Sequence, residues 1–158
     1  MNVAVIGGYN CSKKAYKSAQ RLGVLIAQER WILICGGGSG VMEAACKGAK
    51  EKGGLTVGIL PSFDEKEANL YLDVKIPTGL GCARNILVVR AADAIVAVNG
   101  KYGTLSEIAF ALNEGKRVCG IDTWDIKGLI KVTCPEEAIK YIKRKPKWSL
   151  KEKSFSQE

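Results

Sequence analysis

Ile34-Cys35-Gly36-Gly37-Gly38-Ser39-Gly40-Val41-Met42-Glu43 passes from a short apolar run, through a glycine cluster, into a helical pattern. Ala97-Val98-Asn99-Gly100-Lys101-Tyr102-Gly103-Thr104-Leu105-Ser106-Glu107 repeats that arrangement. Glycine lets a backbone turn sharply and approach a ligand closely. The first N–H groups of a helix have no partner within it and carry a partial positive charge, so a helix start attracts phosphate. The two junctions therefore predict two backbone cradles at one edge of a parallel sheet, and with them a phosphorylated small molecule, a nucleotide above all.

The flanking sequence agrees with that sheet. Residues 2–6 are apolar and β-branched, as a buried parallel strand requires. Gly7-Gly8-Tyr9-Asn10 form the next loop, and Gly7 and Gly8 are assigned to the same binding edge. Ser12 is placed to cap a helix reaching about Glu29, with Ala15, Ala19, Leu22, Leu25 and Ile26 on one face. Strands are expected at Trp31–Cys35, Leu55–Leu60, Asp73–Ile76, Ala94–Val98, Arg117–Ile121 and Lys131–Thr133. Helices are expected at Val41–Lys52, Ala83–Asp93, Thr104–Glu114 and Pro135–Lys145. Alternating strands and helices give an α/β class, a single-domain Rossmann-like open parallel sheet with helices on both faces. Ligands of such sheets bind beyond the strands' carboxyl ends, at a topological switch point. The domain is assigned to residues 1–145 and a basic tail to residues 146–158.

Composition narrows the chemistry. The 158 residues suit one domain, and 47% hydrophobic with 25% charged residues suits a globular one. No apolar stretch is long enough to span a bilayer, and the opening Met1-Asn2-Val3-Ala4-Val5-Ile6 lacks a signal peptide's basic start, so a cytoplasmic protein is expected. The six cysteines include no C-x-x-C pair and most lie in or beside apolar runs, which reads as small buried hydrophobes rather than disulfides or a zinc site. Cys82 stands out because it abuts the candidate site. The chain has no histidine, which removes Ser-His-Asp and Cys-His catalysis and histidine-metal centres. Neither a metal nor a resident cofactor is expected. Of the net charge of +8, residues 139–158 hold +5, so the basic character is largely the tail's. A solvated tail accounts for it, and neither a membrane nor nucleic acid is expected as a partner.

Each motif carries two readings. Gly36, Gly37, Gly38, Ser39 and Gly40 lack the full dinucleotide fingerprint and the Gly-Lys-Ser/Thr of a Walker loop, so they are either a phosphate cradle or a tight turn. Thr104-Leu105-Ser106-Glu107 has the form of a capping box. Glu107 could equally face a ribosylated ligand and orient water or stabilise a sugar cation as an N-glycosidic bond breaks. Arg84 sits early in a helix, where the dipole disfavours it, and could pair with phosphate or with Glu107. Asn85 could hydrogen-bond a ligand or cap a turn. Gly100 and Gly103 open the second cradle, Lys101 could counter a phosphate charge, and Tyr102 could stack on a base or shield the loop.

These segments resemble the Lonely Guy-like superfamily, once widely labelled lysine decarboxylases, over residues 1 to about 142. Gly36-Gly37-Gly38-Ser39-Gly40-Val41-Met42 looks like the family's G-G-G-x-x-G-[LV]-M segment, and Gly103-Thr104-Leu105-Ser106-Glu107 like the end of its P-G-G-x-G-T-x-x-E motif. Gly79-Leu80-Gly81-Cys82-Ala83-Arg84-Asn85 is similar to a branch of molybdenum cofactor carrier proteins. The resemblance implies a Rossmann-like nucleotide-binding protein that forms a homo-oligomer, a dimer or higher. In cytokinin-activating members an arginine and the motif glutamate help release the base from a nucleoside 5′-monophosphate, roles that map onto Arg84 and Glu107. This chain has Asn99-Gly100-Lys101 where those enzymes have Pro-Gly-Gly, and Arg84-Asn85 where they have Arg-Lys. The expectation is thus a nucleoside 5′-monophosphate phosphoribohydrolase or, as the alternative, a non-catalytic carrier or sensor of a phosphorylated pterin. Lysine decarboxylation is excluded, since no lysine is evident for pyridoxal phosphate and the chain is too small.

Overall fold

The computed structural model describes residues 1–144, so the assigned tail, 146–158, lies outside the described residues. Seven strands are described: β1 (Asn2–Gly7), β2 (Ile32–Cys35), β3 (Thr56–Leu60), β4 (Val74–Pro77), β5 (Ala94–Val98), β6 (Arg117–Ile121) and β7 (Ile130–Val132). Five α-helices join them: α1 (Lys13–Gln28), α2 (Val41–Lys50), α3 (Asn85–Ala91), α4 (Tyr102–Asn113) and α5 (Pro135–Lys143). All strand pairs are parallel, in the order β4-β3-β2-β1-β5-β6-β7. This is the α/β Rossmann-like sheet the sequence predicts.

Strand alternation divides the core in two. Val3 and Val5 of β1, with Val96 and Val98 of β5, join the layer built by α1, α2 and α5. Ala4, Ile6, Ile95 and Ala97 join the opposite layer, built by α3 and α4. A strand covered on both faces has no polar side, which is why β5 reads Ala-Ile-Val-Ala-Val. Leu22 and Ile26 of α1 are fully buried, each contributing about 1.5–3 kcal/mol. Ser12 caps α1 as expected, its Oγ accepting the Ala15 N–H at 3.2 Å. Among the described residues no helix is long and apolar enough to cross a membrane.

The connection between β4 and β5 departs from expectation. The single helix predicted over Ala83–Asp93 is a 3₁₀ turn, Gly81–Arg84, followed by the short α3. Asp93 leaves the helix to meet β1, its Oδ2 accepting the Asn2 N–H at 2.7 Å and its own N–H donating to the Asn2 carbonyl at 2.8 Å.

The chain lays β1 to β4 outward in one direction and then returns to place β5 on the other side of β1. Val3 pairs with Ala94 at one end of that pair and Gly7 with Val98 at the other. The crevice past Gly7 and Val98 is therefore the sheet's switch point, where loops diverge to opposite faces.

Candidate functional site

A cleft of about 340 Å³ opens at this switch point. Gly7, Gly8, Tyr9 and Asn10 wall it from the β1 side; Asn99, Gly100, Lys101, Gly103, Thr104 and Glu107 wall it from the β5 side. Met42, Cys82, Arg84 and Asn85 close it. Of the residues assigned from sequence, Gly7, Gly8, Arg84, Asn85, Gly100, Lys101, Gly103, Thr104 and Glu107 thus come together. Gly36 and Gly38 line a neighbouring cavity of about 70 Å³, which shares Tyr9, Met42 and Arg84 with the main cleft. Gly37, Ser39, Gly40 and Tyr102 line neither.

The two glycine junctions do different work. At the first, Gly40 stands at φ +66° against the β1 loop, where a side chain would overlap the carbonyls of Gly8 and Tyr9. The Val41 N–H, which would face a phosphate, donates instead to the Gly8 carbonyl at 3.1 Å, and Ser39 Oγ donates to the Tyr9 carbonyl at 2.9 Å. Added side chains at Gly36 and Gly38 would meet the Arg84 guanidinium and the Tyr9 ring. These glycines make room for protein.

The second junction is open. Asn99 adopts φ +53° and its Oδ1 accepts the Gly100 N–H at 2.5 Å. Lys101 is the N-cap of α4, extended, with no side-chain cap on the helix. The N–H groups of the helix start consequently remain available where Gly103 and Thr104 line the cleft. The expected capping box does not form, because α4 starts at Tyr102 with Lys101 as its N-cap, three residues ahead of the register it needs. Thr104 lies buried under Gly100, where it fills the space a side chain would take.

Glu107 is 6% exposed, and its Oε1 lies 4.0 Å from Arg84 Nη1. Burial pushes its carboxyl up to about 7, and the Arg84 charge offsets only part of that. Arg84 Nη2 donates to the Gly36 carbonyl at 3.2 Å, and Nη1 donates to Asn85 Oδ1. Arg84 Nε is buried without a partner among the described residues. Asn85, also buried, reaches Ser106 Oγ at 3.3 Å, so one side chain links the guanidinium to the start of α4. The arrangement offers an anion helix N–H groups and the Lys101 charge, beside a carboxyl whose burial favours its protonated form.

Tyr102 is 79% exposed and turns away from the cleft to Trp124, with ring centroids 5.7 Å apart. Trp124 Nε1 donates to the Lys101 carbonyl at 3.1 Å, propping the loop from the β6–β7 connection. Sequence reading missed Trp124, Tyr9, Asn10, Asn99 and Met42 as parts of the site. Asn99 carried a local signal, an Asn-Gly step tolerant of positive φ at a strand end; the others are brought in by the topology. Among the described residues no group of three or more His, Cys, Asp or Glu side chains is placed to hold a metal.

Comparison with known proteins extends this geometry. The SLOG cluster4 family matches residues 1–149. The solved structure of the molybdenum cofactor binding protein from the phototrophic bacterium Rippkaea orientalis is similar at 37% identity and TM-score 0.86, over 90% of this chain and 94% of that one. The molybdenum cofactor carrier protein of Chlamydomonas reinhardtii is similar at 34% identity and TM-score 0.79, over 90% and 95% of the two chains. Cytokinin riboside 5′-monophosphate phosphoribohydrolase of Mycobacterium tuberculosis is 30% identical over 115 residues, 67% of this chain and 62% of the enzyme.

Proposed function

This chain belongs to the SLOG cluster4 family, and we propose that its cleft holds a phosphorylated pterin of the molybdenum cofactor type and carries it intact. The observation that carries the reading is the uncapped start of α4 facing the cleft at the β1/β5 switch point. There the ligand's phosphate meets helix N–H groups and Lys101. Gly7 and Gly8 let the ligand approach the end of β1, and Asn10, Asn85 and Asn99 supply neutral donors and acceptors for a heterocycle. The likeness to carrier and cofactor-binding structures, which spans nine-tenths of the chain, supports this reading over hydrolysis. We further propose a cytoplasmic homo-oligomer, a dimer or higher, whose mass light scattering would measure.

One observation favours a second reading. Arg84 and Glu107 form a buried pair at the cleft floor, as cleavage of an N-glycosidic bond would use. In that case Glu107 steadies the developing sugar cation and Arg84 holds the phosphate or the carboxylate.

One pair of measurements separates them. The carrier reading predicts saturable binding of the phosphorylated pterin, weakened at least tenfold by Lys101→Ala or by removing the phosphate, and no free base from a panel of nucleoside 5′-monophosphates. Base release by the native protein but not by folded Glu107→Ala would replace the carrier with a phosphoribohydrolase.

A further inference from the structure

Beneath the first glycine junction lie two thiols that neither reading of the cleft uses. Cys35, the last residue of β2, and Cys46, on α2, place their sulfurs 3.5 Å apart, and both are fully buried. Each is tied to the loop above. Cys35 Sγ accepts the Gly37 N–H at 3.3 Å. Asn69 Nδ2 lies 3.9 Å from Cys46 Sγ and donates to the carbonyls of Gly37 at 3.1 Å and Gly38 at 3.0 Å. The next residue after Cys35 is Gly36, whose carbonyl anchors Arg84. A change at the sulfur pair thus reaches the cleft floor through one peptide unit and one hydrogen bond.

We propose that Cys35 and Cys46 are a redox modification site, closing to a reversible disulfide that resets the Gly36–Gly38 loop and weakens its hold on Arg84. The sulfurs already touch, and covalent closure needs a further approach to about 2.05 Å. The oxidant is a peroxide. One sulfur, as thiolate, attacks a peroxide oxygen; the O–O bond breaks, hydroxide leaves, and a sulfenic acid remains. The second sulfur displaces the sulfenic hydroxyl as water, forming the S–S bond. Two thiols and one hydrogen peroxide give one disulfide and two waters, with both electrons taken from sulfur. Cys35 is the attacking sulfur, since its Sγ accepts the Gly37 N–H, a donor that stabilises the anion. Burial makes the step slow and dependent on local opening of α2, which spares the pair from casual oxidation.

The test treats the full chain with hydrogen peroxide and maps its peptides without reduction, following amide exchange over Gly36–Gly40 in parallel. The proposal expects a linked Cys35–Cys46 peptide, at least tenfold faster exchange in that loop, and reversal of both by dithiothreitol. In Cys46→Ala the exchange change should vanish. Should that variant not fold, Cys46→Ser, which keeps the side-chain size, replaces it. Free Cys35 and Cys46 after the exposed Cys82 has been oxidised would overturn the proposal. So would a linked pair with unchanged loop exchange. Neither readout requires a bound ligand, so failure here and failure of the carrier reading remain separate results.

Discussion

The two glycine junctions look alike in sequence and behave oppositely in the fold. The first, Gly36–Gly40, is filled: its glycines accommodate Arg84, Tyr9 and the Gly8 and Tyr9 carbonyls, and the leading N–H of α2 is already engaged. The second, Asn99–Thr104, leaves Gly103 open to the cleft although Thr104 fills the space beside Gly100, and among the described residues the start of α4 has no side-chain cap. Both sit at strand carboxyl ends. The difference lies in what the topology brings next to each. The first faces the β1 loop, which packs onto it. The second faces the space at which β1 and β5 part, where no element among the described residues covers it.

The comparison breaks most readily at Gly40. Alanine there needs an L-residue at φ +66° and a methyl group inside two backbone carbonyls that cannot move independently. Gly40→Ala is expected to cost about 2–6 kcal/mol, the sum of about 1–3 for a left-handed backbone and about 1–3 for overpacking. The midpoint of urea unfolding measures it. A loss below about 1 kcal/mol would show that the first junction is as open as the second.

The second junction has its own cost, and it depends on pH. Glu107 holds its proton up to about pH 7 in the folded protein, against an ordinary 4.5. Between those values the folded state binds more protons than the unfolded one, so stability falls as pH rises from about 4.5 to about 7. At about 1.36 kcal/mol per unit, the loss is on the order of 3 kcal/mol. In Glu107→Gln that slope should be absent, so the difference in unfolding free energy between pH 4.5 and pH 8 shrinks by about that amount. Denaturant titrations at the two pH values read it directly. An unchanged slope in the variant would mean that Glu107 is solvated and paired rather than held in a dry site.

Much of this was legible in the chain. Strands such as Ala94–Val98, apolar throughout, announce a sheet covered on both faces, and Ser12 announces the start of α1. Arg84 betrayed itself as a cation at the wrong end of a helix, and Glu107 as a carboxylate beside a glycine loop. The glycines showed only that space was needed, not whether protein or ligand would occupy it. At Gly36 the occupant is 48 residues away, and at Gly40 about 30, so no local pattern records it. The capping box failed for a related reason. T-x-x-E fits Thr104 and Glu107, but Gly100 and Lys101 let the helix start at Tyr102, which turns Glu107 into the core. Cys35 and Cys46 meet only because the junction folds α2 back over β2, a pairing hidden at a spacing of 11.

Gly103 gives the smallest effect on stability and the sharpest contrast with Gly40. It lies in the first turn of α4, not at positive φ, and an added Cβ would find only Asn85 Nδ2, at 3.8 Å. Alanine is the better helix former, so Gly103→Ala should leave stability unchanged or raise it by up to about 1 kcal/mol. Its methyl group would nonetheless stand at the wall of the cleft, beside the N–H groups proposed to receive phosphate. Affinity for inorganic phosphate, read by isothermal titration calorimetry, is therefore expected to fall about tenfold, or 1.4 kcal/mol. Destabilisation and binding loss would then be separated between the two junctions: Gly40→Ala destabilises the protein, and Gly103→Ala leaves a stable protein that holds the anion about tenfold more weakly. If Gly103→Ala bound phosphate as tightly as the native chain, the helix start would not be the cradle, and the phosphate would have to sit nearer Gly7 and Gly8.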